Sequence, residues 1–267
     1  MDGSDEEDDK RSGGLELAAV IRPYYQDDAV MIYCCDCRDV MGELGTVDHI
    51  ITDPPYSVDV HAKQWIGKAL TQAGKPRVST AHSELGFDPL TNELRAWFAR
   101  QAAMSSRRWV LIFSDLEGIS DWKAELLQAG LEYVRSCVWD KIDSAPQFTG
   151  DRPAASAEAI VCAHPSGRKR WNGGGKRNVY RSAVNGERGP KPHPSTKPLA
   201  LMKYLVADFT DPMDAIIDPF MGSGTTLRAA KDLGRKAIGI EIEERYCEIA
   251  AKRMAQEVFD FAPEAAK

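Results

Sequence analysis

Short apolar runs alternate with amphipathic segments along most of the chain, which indicates strands that alternate with helices. The apolar runs are rich in β-branched residues and end near Gly, Pro or Asp, as buried strands do. We predict strands at residues 29–36, 47–51, 108–113, 131–139, 157–163, 215–217 and 236–242. This alternation predicts an α/β protein with a mainly parallel sheet, and two consecutive runs, 131–139 and 157–163, predict an antiparallel hairpin at its edge.

Capping residues mark the predicted helices. Thr91 is predicted to cap a helix that extends through residue 104. Ser120 is predicted to cap a second helix, in which Leu127 faces inward and which ends at Gly130. Further helices are predicted at residues 38–44, 198–209 and 225–233.

Four segments lack the periodic alternation of apolar and polar residues that indicates a helix or a strand. They are an acidic start at 1–14, a polar stretch at about 57–90, a segment at 164–193 rich in Gly, Pro and basic residues, and a C-terminal tail at 259–267. We expect the acidic start to be a disordered tail and the stretch at 57–90 to be a mobile lid, because it follows directly after a candidate site.

The run 47–51 ends abruptly in Asp53-Pro54-Pro55-Tyr56. Proline cannot donate the hydrogen bonds of a sheet, so the strand must stop there and present Asp53 and Tyr56 beyond its end. In open α/β sheets, ligands bind beyond the carboxyl ends of the strands. A carboxylate beside a flat ring favours a planar polar ligand. An ordinary proline turn capped by Asp is the alternative, because a four-residue match is not specific.

A second candidate site follows the run 215–217, where the chain continues as glycine turn, helix, strand and acid. The turn contains Gly222 and Gly224, and Glu241 lies about 20 residues further on, the spacing of an acid that holds a ribose diol. Glycines allow a ligand to approach the backbone, and the following helix offers free N–H groups. Leu227 stands where a dinucleotide-binding turn has its third glycine, so a single adenosine-bearing ligand fits better than a dinucleotide.

Composition narrows the class of protein. A hydrophobic fraction of 43% and a charged fraction of 28% are those of a globular protein, and 267 residues suffice for one large domain with an insert. No apolar run is long enough to span a bilayer, and the acidic start differs from a secretory signal, so we expect a soluble cytoplasmic protein without membrane association. The six cysteines lack the paired spacing of a zinc site, which favours free thiols and no bound metal.

The net charge of −6 is unevenly distributed. Residues 1–14 contain six acids and two bases, which accounts for most of the excess. Between residues 164 and 197, by contrast, nine basic residues face one acid, with Trp171 and Tyr180 among them. Clustered cations with interleaved aromatic rings favour a small nucleic-acid contact module, and a flexible surface insertion is the alternative.

Four motifs together resemble the S-adenosylmethionine-dependent DNA amino-methyltransferases, which methylate exocyclic amines. The sequence at 53–56 looks like the catalytic tetrad of that family, and 218–226 looks like its cofactor loop. Residues 35–37 are similar to a Gly-Asp-Cys motif, with Cys35 in place of the glycine. Residues 193–198 are similar to the segment that meets the methionine end of the cofactor. The resemblance covers most of residues 30–256.

The order of these motifs resembles the permuted class called β, because the tetrad precedes the cofactor loop. The resemblance therefore implies a Rossmann-like methyltransferase sheet with circularly permuted motif order and a small basic target-recognition insert. It divides the chain into a catalytic half at 15–163, the insert at 164–193 and a cofactor-binding half at 194–258.

The resemblance also implies S-adenosylmethionine as the cofactor and a set of site residues. The implied catalytic residues are Asp53, Pro54, Pro55 and Tyr56. The implied cofactor-binding residues are Asp36, Cys37, Lys197, Asp218, Phe220, Gly222, Gly224, Thr225 and Glu241. The cations expected to bind DNA are Arg168, Lys169, Arg170, Lys176, Arg177 and Arg181.

The implied reaction is methyl transfer to N6 of adenine in double-stranded DNA, by base flipping and direct attack. Within the resembled family, Asp at the first tetrad position is more common in adenine enzymes, whereas permuted cytosine enzymes often have Ser there. N4 of cytosine is the main alternative. An RNA methyltransferase and an inactive DNA-binding module are less favoured, because of the motif order and the intact tetrad. The resemblance further implies a homodimer and, in a restriction-modification system, a cognate nuclease as a partner.

Overall fold

The computed structural model of the protein describes residues 22–56, 90–148, 150–184 and 196–256. Within these ranges, nine strands form one sheet in the order β1-β2-β9-β8-β3-β4-β6-β5-β7. The strands are β1 Tyr25–Gln26, β2 Val30–Cys34, β3 His49–Thr52, β4 Val110–Ser114, β5 Glu132–Lys141, β6 Ala157–His164, β7 Val179–Ser182, β8 Ala215–Asp218 and β9 Lys236–Glu241.

The sheet is parallel in its centre and antiparallel on one side. Strands β2, β9, β8, β3 and β4 are parallel neighbours, so all of them end at the same side of the sheet, which we call the carboxyl end. Strand β6 is antiparallel to β4 and β5, so it begins at the carboxyl end, where β5 and β7 finish. The opposite side, where β3, β4 and β8 begin, is called the amino end.

Helices cover both faces of the sheet. They are α1 Cys37–Val40, α2 Asn92–Ser105, α3 Ile119–Gln128, α4 Leu199–Phe209, α5 Thr225–Asp232 and α6 Glu244–Ala255. Side chains alternate between the two faces of a strand. In β4, Leu111 and Phe113 therefore pack in the core beneath α4, α5 and α6, whereas Val110 and Ile112 pack in the core beneath α1, α2 and α3.

Most predicted elements are confirmed, as is the α/β class. Thr91 caps α2, since its Oγ1 accepts a hydrogen bond from the Leu94 N–H at 3.1 Å. Gly130, at a φ of 91°, follows the end of α3 in the left-handed conformation that glycine favours. Strands β5 and β6 form the predicted antiparallel pair.

Two predictions about local structure were wrong. Ser120 does not cap α3, because the helix begins at Ile119 and its N-cap is Gly118, which makes no side-chain bond. Leu127 is 50% exposed, since it lies one position past the buried stripe of that helix. Strands β1 and β7 and helix α6 were not predicted. In β7 only Tyr180 is well buried, so the strand lacks a recognisable alternation of buried and exposed side chains.

Several predicted segments lie outside the described residues. These are the acidic tail at 1–14, nearly all of the lid at about 57–90 and the C-terminal tail at 259–267. Residues 193–195 of the methionine-end motif lie outside them as well. In the part of the chain that is described, no helix has both the length and the apolarity needed to cross a membrane.

Candidate active site

The Asp53 carboxylate lies at the carboxyl end of the sheet, one residue after β3. Its Oδ2 forms an ion pair with Nζ of Lys197. Its Oδ1 is buried and has no hydrogen-bond partner among the described residues. An unsatisfied buried acceptor typically costs about 1–3 kcal/mol, so native proteins rarely keep one without a reason. The geometry therefore offers one carboxylate oxygen to a donor on a ligand.

Lys197 lies at the centre of this group. Its side chain is only 8% exposed, and Nζ lies 3.3 Å from Oε2 of Glu158 and 3.4 Å from the hydroxyl of Tyr56. Nζ also lies 5.0 Å from the ring centroid of Phe113 and 5.4 Å from that of Tyr56. The resemblance assigned Lys197 to the cofactor, whereas the structure places its ammonium against Asp53.

Glu158 and Lys141 belong to the same group, and the sequence analysis missed both. Glu158 is the second residue of β6, and its carboxylate accepts a hydrogen bond from the Tyr56 hydroxyl at 2.8 Å and pairs with Lys141 Nζ at 2.6 Å. The signal that could have revealed Glu158 is an acid inside the apolar run 157–163. Its neighbourhood with Asp53 depends on β6 beginning where β4 ends, and no local pattern shows that.

Burial and charge act in opposite directions on the ionisation of these acids. Burial raises the pKa of Asp53 above its ordinary value, and Lys197 opposes that rise without cancelling it. Burial also raises the pKa of Glu158, but Lys197 and Lys141 outweigh it and hold that pKa at about 2. Glu158 is therefore a fixed negative charge, and Asp53 is the acid of the pair that protonates first.

The glycine turn follows β8 at the same end of the sheet. Asp218 ends β8 almost fully buried, and its Oδ1 accepts hydrogen bonds from the Thr52 hydroxyl at 2.6 Å and from the Phe220 N–H at 3.2 Å. Burial raises the pKa of Asp218 to about 6. Because Thr52 precedes Asp53, this bond connects the predicted cofactor loop to the predicted tetrad.

Glu241, at the end of β9, closes the turn from the other side. Its Oε2 accepts a hydrogen bond from the Gly222 N–H at 3.0 Å, and its Oε1 accepts one from the Glu243 N–H at 2.9 Å. A carboxylate oxygen has two acceptor sites, so each oxygen can still accept a bond from a ligand hydroxyl.

The two glycine positions of the turn differ in what surrounds them. Gly222 has a φ of 50°, which favours glycine, and a Cβ there would meet nothing within 4 Å, so there is open space beside this backbone. Gly224 has a φ of 78°, but a Cβ there would lie 2.9 Å from Cβ of Ala250 in α6. Gly224 is therefore required by the close packing of two helices. Thr225 follows as the first residue of α5, whose N-cap makes no side-chain bond.

Three further residues predicted for the cofactor lie at this end of the sheet. Asp36 and Cys37 follow β2, which pairs with β9 so that Cys34 lies opposite Glu241. Asp36 caps α1, since its Oδ1 accepts a hydrogen bond from the Arg38 N–H at 2.8 Å. Cys37 is buried. The ring of Phe220 packs 5.8 Å from that of Phe98 and is only partly buried.

The cations predicted to bind DNA do not share one surface. Lys169 pairs with Glu132 at 2.5 Å, and Arg170 pairs with Asp211 at 3.0 Å, both at the amino end of the sheet. Lys176 pairs at 2.5 Å with Asp208, near the amino-end terminus of α4. Arg181 instead pairs at 2.7 Å with Asp140, where β5 and β7 approach the carboxyl end. Arg168 and Arg177 are exposed.

The aromatic residues of the basic segment face inward. Tyr180 is buried, and its hydroxyl donates to Asp208 at 3.1 Å. The ring of Trp171 packs against Phe209 with 4.8 Å between centroids, and Trp109 Nε1 donates to the Arg170 carbonyl. The first part of the insert is therefore attached to the amino end of the domain, with the ring of Tyr180 buried and that of Trp171 partly buried.

The cysteines are free thiols, as predicted. Across the described ranges, no group of three or more His, Cys, Asp or Glu side chains is arranged to hold a metal ion.

The carboxyl end of the sheet thus combines a glycine turn, an acid at the end of the next strand and an unpartnered carboxylate oxygen beside an aromatic ring. These features are typical of an α/β enzyme whose ligands bind beyond the carboxyl end of the sheet. The profile of a family described as DNA methylase matches residues 47–252, which is most of the chain. The chain therefore belongs to the N6/N4 family of DNA methylases.

Two curated relatives are similar over nearly their whole length. The type II methyltransferase M2.LlaDCHI of Lactococcus lactis subsp. cremoris is 25% identical over 253 residues, which cover 87% of this chain and 92% of that protein. The type II methyltransferase M2.DpnII of Streptococcus pneumoniae is 26% identical over 256 residues, which cover 88% and 93%.

Solved structures agree with the fold. The crystal structure of an M1.HpyAVI–SAM complex superposes with a TM-score of 0.65 at 26% identity, covering 85% of this chain and all of that one. The cytosine-N4-specific PvuII DNA methyltransferase superposes with a TM-score of 0.67, covering 88% of this chain and 90% of that one. Its 16% identity supports the fold alone.

Proposed function

We propose that this protein transfers a methyl group from S-adenosylmethionine to the exocyclic N6 of adenine in duplex DNA. The observation that carries the proposal is Oδ1 of Asp53, which is buried without a partner among the described residues while Lys197 holds Oδ2. An exocyclic amine supplies the donor that this oxygen lacks. Tyr56 shares Lys197 with the carboxylate, and its ring offers a surface on which a flipped base can stack.

The chain's part in the reaction follows from the electronics of the amine, whose lone pair is delocalised into the base and therefore attacks poorly. Asp53 Oδ1 would accept one amine hydrogen and the Pro54 carbonyl the other, which favours a pyramidal nitrogen with an available lone pair. Pro55, which cannot donate a sheet hydrogen bond, ends the strand and keeps this segment beyond it. Such orientation of reactants can lower a barrier by ~7 to 11 kcal/mol. The base has to leave the duplex to reach this site.

The proposed cofactor residues lie where β2, β8 and β9 end. S-adenosylmethionine, when bound, supplies an electrophilic methyl group on a sulfonium. Glu241 is suited to the ribose hydroxyls because both of its oxygens are fixed by backbone N–H groups and keep acceptor sites. Gly222 allows close approach of the backbone. Asp218 holds the turn, and the remaining proposed contacts are Asp36, Cys37, Phe220, Gly224 and Thr225.

The motif order supports the permuted β class, with the tetrad after β3 and the glycine turn after β8. We propose that the insert contributes to DNA binding from the part that reaches the carboxyl end, where Arg181 is exposed. Lys169, Arg170 and Lys176 are proposed to brace the insert, because their acidic partners lie at the other end of the sheet or next to it.

Adenine is preferred over cytosine because the first tetrad residue is Asp53, and the resembled family has this residue more often in its adenine enzymes. N4 of cytosine is the second candidate, since the same two acceptors could hold its amine. An RNA methyltransferase or an inactive DNA-binding module is favoured by no observation at this site.

The test is to incubate the protein with labelled S-adenosylmethionine and with unmethylated duplex DNA, RNA or protein in separate reactions. The methylated DNA is digested to nucleosides and analysed by mass. We expect N6-methyladenine from DNA, and about 10²- to 10³-fold less of it from the Asp53→Asn variant under the same conditions. N4-methylcytosine without N6-methyladenine would reject the adenine assignment, and label in RNA or protein alone would reject DNA as the substrate.

A homodimer and a cognate nuclease stay predictions from the resemblance. Sedimentation equilibrium of the full chain, with and without DNA, tests the first. Restriction of unmethylated phage DNA by cells that carry the neighbouring genes tests the second.

A further inference from the structure

The Lys197 ammonium has three N–H donors, and the described residues supply one acceptor for each of them. The acceptors are Oδ2 of Asp53, Oε2 of Glu158 at 3.3 Å and the hydroxyl of Tyr56 at 3.4 Å. The lysine side chain is only 8% exposed, so water competes weakly for these donors. No donor is therefore left over for Oδ1 of Asp53, which agrees with that oxygen being unpartnered.

We propose that Glu158 is a positioning residue that keeps Asp53 Oδ1 free for the target amine, because it occupies one donor of Lys197. The inference rests on the proposed function, which assigns Oδ1 to the amine. A neutral amide in place of the Glu158 carboxylate would hold this donor only weakly, because hydrogen bonds to an ionised acceptor are about twice as strong as those to a neutral one. The buried ammonium would then turn toward the remaining charged acceptor, which is Oδ1. Lys197 would then donate hydrogen bonds to both oxygens of Asp53 and compete with the target amine for Oδ1.

Glu158 is itself rigidly held, as this role requires. It is 9% exposed and lies in β6, between β4 and β5 in the sheet. Its Oε1 pairs with Lys141 at 2.6 Å, and its Oε2 accepts the Tyr56 hydroxyl at 2.8 Å. The two acids and two lysines of the group balance in charge. Removing Glu158 alone leaves an excess positive charge beside Asp53, which strengthens the attraction of Lys197 for both carboxylate oxygens.

The same geometry has an electrostatic consequence that can be measured. The groups that bear on the ionisation of Asp53 are Lys197 before α4, Glu158 in β6, Tyr56 in its own segment and Asp218 at the end of β8. The negative charge of Glu158 adds to burial in raising the pKa of Asp53. Replacing Glu158 by a neutral side chain therefore lowers that pKa. Loosening of the fold would also lower this pKa, because it relieves the burial of Asp53, so the shift counts as support only where the free energy of unfolding of the variant stays near that of the wild type.

The experiment compares Glu158→Gln with the wild type in single-turnover methylation of duplex DNA across a range of pH. We expect the rate at the optimum to fall by about 10- to 100-fold, the size of effect that misplacing a reacting group produces. The acid limb of the profile should move to lower pH, while the dissociation constant for S-adenosylmethionine stays within about twofold. A rate within about twofold of wild type, or an unmoved acid limb, would overturn the proposal.

Two further variants separate this role from loss of structure. Glu132→Gln is the matched control, since Glu132 pairs with Lys169 at the amino end of the sheet, and we expect wild-type rates from it. Tyr56→Phe removes the neutral partner of Lys197 but keeps the charge of Glu158, so its acid limb should not move to lower pH. If Glu158→Gln does not fold, Glu158→Asp replaces it. The shorter carboxylate should lower the rate and leave the acid limb in place, and an unchanged rate would contradict the role.

A titration without substrate keeps this inference distinct from the proposed function. The carboxyl carbon of Asp53 is followed by NMR in the substrate-free protein. We expect a lower pKa in Glu158→Gln than in the wild type, and equal values would overturn the inference. If the pKa difference is found but the wild-type protein does not methylate adenine, the proposed function fails, whereas the coupling of Glu158 to Asp53 through Lys197 stands.

Discussion

The two ends of the sheet collect the same kinds of residue and use them differently. At the amino end, Asp214 accepts bonds from His49 at 2.8 Å, from Arg108 at 2.7 Å and from the Asp211 N–H at 2.8 Å. Asp211 in turn pairs with Arg108 and with Arg170. At the carboxyl end, Asp53 has a single cationic partner and one buried oxygen without any.

The difference lies in the satisfaction of the acids rather than in charge density. A carboxylate oxygen with several donors, such as Oδ2 of Asp214, stabilises the fold, because it joins elements that the chain brings together from far apart. A carboxylate with a buried free oxygen costs stability, and proteins keep such groups mainly at functional sites. Buried nitrogens without a partner also occur at the amino end, at Arg108 Nη2 and His164 Nε2, so the criterion applies to the acids alone. Of Asp53, Asp211 and Asp214, only Asp53 keeps a buried oxygen without a partner among the described residues, and we therefore interpret the amino end as a structural brace and the carboxyl end as the reaction site.

The largest expected effect distinguishes the two ends directly. Asp53→Asn should lower turnover by about 10²- to 10³-fold, by analogy with the loss of one preorganised polar group at a reacting centre. Binding of S-adenosylmethionine, measured by calorimetry, should change little. Asp214→Asn should leave turnover near wild type and lower the free energy of unfolding by about 1–3 kcal/mol. If Asp53→Asn keeps more than a tenth of the wild-type turnover, the distinction between a reaction site at the carboxyl end and a brace at the amino end is wrong.

The second effect concerns the cofactor. Glu241→Gln should raise the dissociation constant for S-adenosylmethionine about tenfold, equivalent to about 1.4 kcal/mol, because an amide group would face the N–H of Gly222 or Glu243. Calorimetric titration measures this dissociation constant, and Glu132→Gln at the amino end is the control. Equal dissociation constants for both variants would remove Glu241 from the cofactor site.

A smaller effect concerns DNA binding by the basic segment, and it should differ between the two halves of that segment. Arg181→Ala should reduce the slope of log K for DNA against log salt by about 1, the value for one lost phosphate contact. Arg170→Ala should leave the slope unchanged, since its guanidinium pairs with Asp211 at the amino end. Fluorescence anisotropy at several salt concentrations gives both slopes. A reduced slope in Arg170→Ala alone would reverse the assignment of the two halves.

The smallest effect is the pH dependence of stability at the amino end. Burial lowers the pKa of His49 below 6.5, and its bond to Asp214 only partly opposes this. The unfolded chain then binds more protons in acid, so the stability that His49 contributes is present above about pH 6.5 and is lost as the pH falls. Urea unfolding at several pH values should show a weaker acid destabilisation in His49→Gln than in the wild type. If the free energy of unfolding falls equally with pH in both proteins, this role of His49 is wrong.

Much of the molecule could be predicted from local patterns. Alternation and capping located most strands and helices of the parallel part, since these signals depend on residues close in sequence. The two strand ends were found for the same reason, because prolines after β3 and glycines after β8 interrupt the pattern at the points where side chains leave the sheet. Each site was predicted to lie beyond the end of a parallel strand, whereas the bond from Thr52 to Asp218 that joins the two sites is seen only in the structure.

Other features depend on pairing between distant segments. Glu158 and Lys141 join Asp53 only because β6 is antiparallel to β4 and β5, which turns the start of β6 toward the carboxyl end. The basic segment was treated as one surface, but Trp109 and Asp211 bind its first part to the amino end, while β7 carries Arg181 toward the other. The sequence shows how many charged residues the basic segment contains, but not where each of them lies in space. The side of the sheet on which each one lies is set by strand register and by contacts far apart in sequence, and for this protein only the tertiary structure decides it.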